Sequence, residues 1–153
     1  MYLLEICSKI TTVNLEKESL VMEKTLVLIK PDAIRKIEYI LEIFYKNGLK
    51  IDRFKIMKLD DAIIAEHYAH VLDKPFFPEL KKFMTSTPVV AMVILGDSAV
   101  ARVRDIVGKT NPKEAAPGTI RNLYGTDLTR NAVHASDSAE NAKIEIDRFF
   151  KRK

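Results

Sequence analysis

An α/β sandwich, one sheet with helices packed on it, is the fold class that this sequence of 153 residues predicts. Three observations predict it. Two short apolar runs, Thr25 to Ile29 and Val89 to Leu95, have the length and composition of buried strands. Each is followed by apolar residues at helical spacing, and Pro, Gly, Asn or Asp punctuates the passage from one kind of segment to the next. The length suits one domain and is too short for two ordinary ones.

Thr25-Leu26-Val27-Leu28-Ile29 runs directly into Lys30-Pro31-Asp32, so the first strand ends in a turn. Ile37, Ile40, Leu41, Phe44 and Tyr45 then predict a helix over about 35–47, stopped by Asn47-Gly48. From Lys50 to Leu59 the apolar alternation is irregular but strand-like, and Asp60 or Asp61 can cap a helix carrying Ile63, Ile64, His67, Tyr68 and Val71. Pro75-Phe76-Phe77-Pro78 opens a short helix that ends near Met84. Pro88 introduces Val89 to Leu95, the most apolar strand, which is expected at the centre of the sheet. Asp97 or Ser98 is the expected cap of a helix with Val100, Val103, Ile106 and Val107 on one face, closed by Gly108. Asn111-Pro112 and Pro117-Gly118 mark a long loop of the kind that carries function. A short strand around Ala132 and Val133 follows, then a helix to Phe150 opened by Asp137 and Glu140 as a capping box. Periodicity leaves the strand order open, with parallel and mixed sheets both allowed.

Composition narrows the function classes. No apolar run approaches the roughly 20 residues of a membrane-spanning helix, so no membrane partner is expected. The stretch Met1 to Met22 lacks the apolar core of a secretion signal and any Arg of a transit peptide, and the single Cys7 cannot form an internal disulfide; cytoplasm is the expected location. A net charge of +4 suits anionic ligands. Because the basic residues are spread along the chain, nucleic acid is not an expected partner.

The residues that can carry chemistry start with His134, in Arg130-Asn131-Ala132-Val133-His134-Ala135-Ser136-Asp137-Ser138, at a strand-to-helix junction. Such a junction offers free backbone amides to an anion, and a neutral imidazole is a competent nucleophile near pH 7. A lone histidine there is more often a surface or capping residue. Lys30, Arg104 and Arg121 are candidate phosphate ligands, since phosphoryl transfer is catalysed mainly by positioning and by charge stabilisation. The usual phosphate loops and cysteine-based metal spacings are absent from the sequence, and His67 with His70 makes a poor metal site without further ligands. No residue is expected to bind metal directly.

Leu28-Ile29-Lys30-Pro31-Asp32, Pro75-Phe76-Phe77, Thr110-Asn111-Pro112, Pro117-Gly118-Thr119-Ile120-Arg121 and the Asn131 to Ser138 segment resemble, in order, the motifs of nucleoside diphosphate kinases. The resemblance runs from about Glu23 to Phe150 and implies a kinase domain over 23–153, with 1–22 an N-terminal extension of unknown role. It implies a ferredoxin-like fold, with helices packed on a four-stranded antiparallel sheet, and assembly into hexamers or tetramers. It further implies that His134 takes the γ-phosphate of a nucleoside triphosphate such as ATP and passes it to a nucleoside diphosphate in a ping-pong cycle, with Mg²⁺ carried by the nucleotide phosphates. By resemblance Glu145 orients the His134 ring and Ser136 supports it. Lys30, Tyr68, Arg104, Thr110, Arg121 and Asn131 correspond to catalytic, phosphate and ribose contacts, and Phe76 and Leu128 to the apolar residues that hold the base.

The segment Ala33 to Glu38 is shorter than the family pattern and lacks its glycines, Ala135 replaces a common glycine, and Asn122-Leu123-Tyr124-Gly125 replaces a glycine-acidic-aromatic sequence. The shortened region and Tyr124-Gly125-Thr126-Asp127 resemble the divergent flagellar and ciliary branch of the family. The alternative expectation is therefore a catalytically weak scaffold of the same fold, associated with a flagellum or the cytoskeleton.

Overall fold

Strand β1 (Glu23–Ile29) leads through a 3-10 turn (Pro31–Lys36) into helix α1 (Ile37–Lys46), and strand β2 (Lys50–Met57) into helix α2 (Asp61–His67). A second 3-10 turn (Ala69–Val71) and helix α3 (Phe77–Met84) precede strand β3 (Val89–Gly96) and helix α4 (Ala99–Val107). A short helix α5 (Ile120–Tyr124), strand β4 (Val133–Ala135) and helix α6 (Ala139–Phe150) complete the order. The computed structural model describes residues 22–151; apart from Met22, the expected extension lies outside the described residues, as does Cys7.

The sheet runs β2-β3-β1-β4 with every neighbouring pair antiparallel, so the strand order that periodicity left open is that of a ferredoxin-like sandwich. Val27 pairs with Met92 and Leu28 with Ala91 in the centre. Alternation then sends Val27, Ile29, Val90, Met92 and Ile94 to one face, against Ile40, Phe44, Val103 and Val107 of α1 and α4. Leu26, Leu28, Val89, Ala91 and Val93 go to the other, against Ile63, Ile64, Leu80, Met84, Ile146 and Phe149 of α2, α3 and α6. Burial on both faces is why β1 and β3 read as continuous apolar runs. The irregular alternation of β2 is that of an edge strand with a register shift between Ile51 and Arg53, and it leaves Phe54 and Ile56 exposed.

Several expected boundaries move for local reasons. The first helix begins at Ile37 instead of near 35, because Pro31 opens a tighter 3-10 turn that occupies Pro31–Lys36. Asp60 does cap α2, its Oδ1 accepting from the Ile63 N–H at 2.8 Å. Neither Asp97 nor Ser98 caps α4. Ser98 sits in the left-handed region (φ 46) without a side-chain cap bond, and Glu23 at the start of β1 accepts the Val100 N–H at 2.8 Å instead. The cap of α6 is Ser138, which accepts from the Asn141 N–H, while Asp137 stands one residue earlier and accepts from Asn141 Nδ2 at 2.6 Å. Helix α5 lies inside the expected loop. Thr119 caps it, and Gly108 (φ 86) lets the loop close, since a Cβ there would lie 2.5 Å from Thr119 Oγ1.

Candidate active site

His134 is the middle residue of β4 and pairs with Leu28, so its side chain leaves the sheet on the face shared with Leu28. Val133 and Ala135, on either side, turn into the opposite core. On the His134 face a cleft of about 770 Å³ opens between α2, α6 and the segment from Thr110 to Asn131. Lys30, Tyr68, Phe76, Arg104, Thr110, Arg121, Leu128, Asn131, His134 and Glu145 all line it, so the fold brings together residues that the sequence scatters over more than a hundred positions. Ser136, the remaining expected residue, is buried behind Glu145.

His134 Nε2 lies 3.0 Å from Glu145 Oε2, and the Ser136 hydroxyl donates to the same oxygen at 2.5 Å. Burial alone would raise the Glu145 carboxyl, but the hydrogen bonds from His134 and Ser136 hold it below its ordinary value. An ionised carboxylate can only accept. Nε2 therefore carries the ring proton, and Nδ1 keeps its lone pair for chemistry.

Lys30 is buried where β1 ends, and its Nζ donates to Asn131 Oδ1 at 2.7 Å and to the Thr129 carbonyl at 3.2 Å. Asn131 in turn donates to the carbonyls of Thr110 and Leu128, at 3.0 and 3.2 Å. Burial first, and then the Arg121 charge, lower the Lys30 ammonium to about 8, against the opposing pull of Asp32 and Asp127. Arg121 is fixed by two backbone carbonyls, Nη1 to Gly108 and Nη2 to Val133, both at 3.0 Å. Burial and then Arg104 lower it to about 10, which leaves it charged at neutral pH. Its Nε and the Tyr68 hydroxyl are buried polar atoms with no hydrogen-bond partner among the described residues. Burial, with the Glu145 charge, raises Tyr68 above its ordinary value and keeps it a hydroxyl. Phe76 and Leu128 are exposed at the mouth.

Two neighbours of the site escaped sequence reasoning. His67 packs edge-on against the His134 ring, with centroids 4.5 Å apart, and faces Arg148 Nη1 across 3.1 Å through its Nδ1. Burial lowers it to about 3, so it is neutral and its Nδ1 accepts from the guanidinium. Its spacing from Ile63 and Ile64 on α2 was the available signal, since that stripe faces the core. Among the described residues the donors that could hold a metal are not His67 with His70 but His67, His134 and Glu145, whose ligand atoms lie within 4.8 Å of one another. The second neighbour is Asp32, which reaches across the chain to accept the Ala132 N–H at 3.0 Å.

A family model described as nucleoside diphosphate kinase matches residues 23–153. A nucleoside diphosphate kinase of Campylobacter jejuni is 52% identical over 132 residues, which are 85% of this chain and 96% of that one. Among solved structures, the Aquifex aeolicus nucleoside diphosphate kinase superposes with a TM-score of 0.80 at 43% identity, covering 85% of this chain and 96% of that chain. A halophilic nucleoside diphosphate kinase from Halobacterium salinarum, solved in complex with CDP, gives a TM-score of 0.80 at 42% identity, with 85% of this chain and 88% of that one covered. Agreement of sequence and fold over nearly the whole length of these enzymes means that the chain belongs to the nucleoside diphosphate kinase family.

Proposed function

We propose that the chain moves the γ-phosphoryl group of a nucleoside triphosphate to a nucleoside diphosphate, with the His134 imidazole as the carrier. The observation that carries this reading is the pairing of His134 Nε2 with Glu145, which leaves Nδ1 as the nucleophile in a cleft lined by Lys30, Arg104 and Arg121. In the first half-reaction Nδ1 forms a bond to Pγ while the Pγ–O bond to the β-phosphate breaks, and the electron pair leaves with the diphosphate. In the second, a terminal oxygen of another diphosphate forms the new P–O bond as the P–N bond breaks. Glu145 stabilises the imidazolium character that develops when the ring gives up its lone pair, and the Lys30 and Arg121 cations neutralise charge on the transferring oxygens. Thr110, Asn131 and Tyr68 supply polar contacts to phosphate and ribose. Phe76 and Leu128 hold the base by apolar contact, which is insensitive to its hydrogen-bonding edges.

The substrate enters as its Mg²⁺ complex. The donor set fits a metal that arrives on the phosphates: the cleft offers cations to them, and Glu145 is engaged by His134 and Ser136. When bound, Mg²⁺ would neutralise charge on the nucleotide phosphates that Lys30 and Arg121 would hold. Residues 23–153 are the kinase domain in this reading, and 1–22 an extension. A homo-oligomer, hexamer or tetramer, agrees with the exposed Phe54 and Ile56 on the edge strand. No helix among the described residues is long and apolar enough to cross a membrane, and the proposed location is the cytoplasm.

Incubation with γ-labelled ATP and Mg²⁺ is expected to give an acid-labile, base-stable protein label that moves to added GDP. Retention of that label and its transfer by His134→Ala would overturn the assignment of the nucleophile. Absence of turnover in the intact chain would favour the scaffold alternative.

A further inference from the structure

The strand that presents His134 begins at a strained turn. Ala132 has φ 71, and the Val133 N–H donates to the Asn131 carbonyl at 2.9 Å, which makes a γ-turn of the rare hand. An L residue resists that conformation, because its Cβ crowds the backbone. The turn nonetheless joins the two residues whose direction matters most, Asn131 bonded to Lys30 on one side and His134 two residues on at the other.

Both polar groups of Ala132 are taken by the turn that follows β1. The Lys30 N–H donates to the Ala132 carbonyl at 2.9 Å, and the Ala132 N–H donates to Asp32 Oδ2 at 3.0 Å. Ala132 is fully buried, so its N–H finds no water if the carboxylate is removed. Asp32 lines no part of the cleft wall. Its contact with the chemistry is therefore indirect.

We infer that Asp32 is a positioning residue: by accepting the Ala132 N–H it holds the left-handed turn that points Asn131 at Lys30 and His134 into the cleft. This rests on the reading of His134 as the phosphoryl carrier. Asp32→Ala frees the turn to relax toward ordinary negative φ, which rotates the first residue of β4 and swings the His134 ring. The contacts of Arg104 and Phe76 do not run through the turn, whereas those of Asn131 and Thr110 do, so the loss falls more on turnover than on affinity.

Three variants test it: D32A, D32N and the double variant D32A/A132G, the last compared with A132G. D32A is expected to lower kcat by about tenfold or more with KM for ATP within about twofold, since a small misplacement of a reacting group is costly while binding persists. D32N keeps an oxygen that accepts the same N–H and is expected within about threefold of wild type. Glycine enters the left-handed region without steric cost, so D32A is expected to cost less than about threefold in the A132G background. A D32N variant as slow as D32A would show that the charge beside Lys30 matters and overturn the clamp, and so would a full D32A penalty in the presence of A132G. If D32A alone does not fold, D32N and the A132G pair decide by the same criteria. Amide hydrogen exchange at Ala132 and Val133 is expected to accelerate in D32A and not in D32N, and it is read without turnover. Failure of wild type to label His134 would thus remove the catalytic reading while exchange still reports on the clamp; unchanged exchange in D32A removes the clamp itself.

Discussion

The two faces of the sheet are made from alternate residues of the same two strands, and they differ in what they were built to do. The face of Val27, Ile29, Met92 and Ile94 is closed by apolar side chains of α1 and α4, with Thr25, opposite Ile94, a buried polar residue on it. The face of Leu26 and Leu28 is closed as tightly by α2, α3 and α6, but at its β4 end the apolar layer gives way to His134, His67 and Glu145, beside Ser136, Lys30 and Asn131. Burying such groups costs stability unless their bonds are made, and burying an ammonium costs most. One face supplies stability; the other gives some of it up to hold charged and polar groups dry and aimed.

The largest expected effect falls on the apolar face. Phe44→Ala is expected to lower the unfolding free energy by about 3–5 kcal/mol, read by denaturant titration, while the folded fraction keeps normal turnover. Lys30→Met and Arg121→Ala are each expected to lose about 2–4 kcal/mol of transition-state stabilisation in kcat/KM; the unfolding free energy stays level or rises in Lys30→Met, whereas Arg121→Ala also lowers it by freeing the Gly108 and Val133 carbonyls. A large loss of stability in Lys30→Met would break the contrast between the faces. Ser136→Ala removes one hydrogen bond to the Glu145 carboxylate and is expected to cost about 1.5 kcal/mol in kcat, roughly tenfold. A normal rate would show that His134 alone suffices to orient that carboxylate.

A further effect is one of pH, and it sharpens the contrast within a single residue. Lys30 is held at about 8, below its ordinary 10.5, so between those values the folded chain has released a proton that the unfolded chain still binds. Stability therefore rises with pH across that window. Loss of the same charge weakens the grip on phosphate, so kcat/KM is expected to fall above pH about 8. Opposite slopes of stability and activity over one range, both missing in Lys30→Met, are the signature; parallel slopes would assign the titration to another group.

Most of this arrangement was legible in the residues. β1 and β3 announced themselves because central strands covered on both faces need unbroken apolar runs, and α1, α4 and α6 because their stripes face a core. β2 was blurred by exposure of its edge and by the shift at Ile51 and Arg53. Strand order could not be read, since alternation fixes which face a residue takes and not which neighbour its strand pairs with. α5 was hidden by its length, five residues between loop signals, with a Thr119 cap that looks like any loop threonine. The capping residue of α6 slipped by one position because Asp137 and Ser138 are both good caps and only geometry chooses Ser138. In the site, motif resemblance carried the residues that line the cleft, whereas His67 and Asp32 act through packing and through a backbone N–H. Such roles depend on who sits opposite in space, as with Asp32 and Ala132, which are far apart in the chain.

The β1–β4 pairing has a bearing on how the chain comes into being on the ribosome. Lys30 is translated 101 residues before Asn131, with His134 and Glu145 later still, and it meets its Asn131 partner only once that later stretch has folded back beside β1. With His134 as the proposed carrier, a nascent chain halted anywhere before residue 134 holds cations and no phosphoryl acceptor. Competence arrives in one late step, and nucleotide labelling of stalled chains of increasing length would read out the moment at which the topology closes.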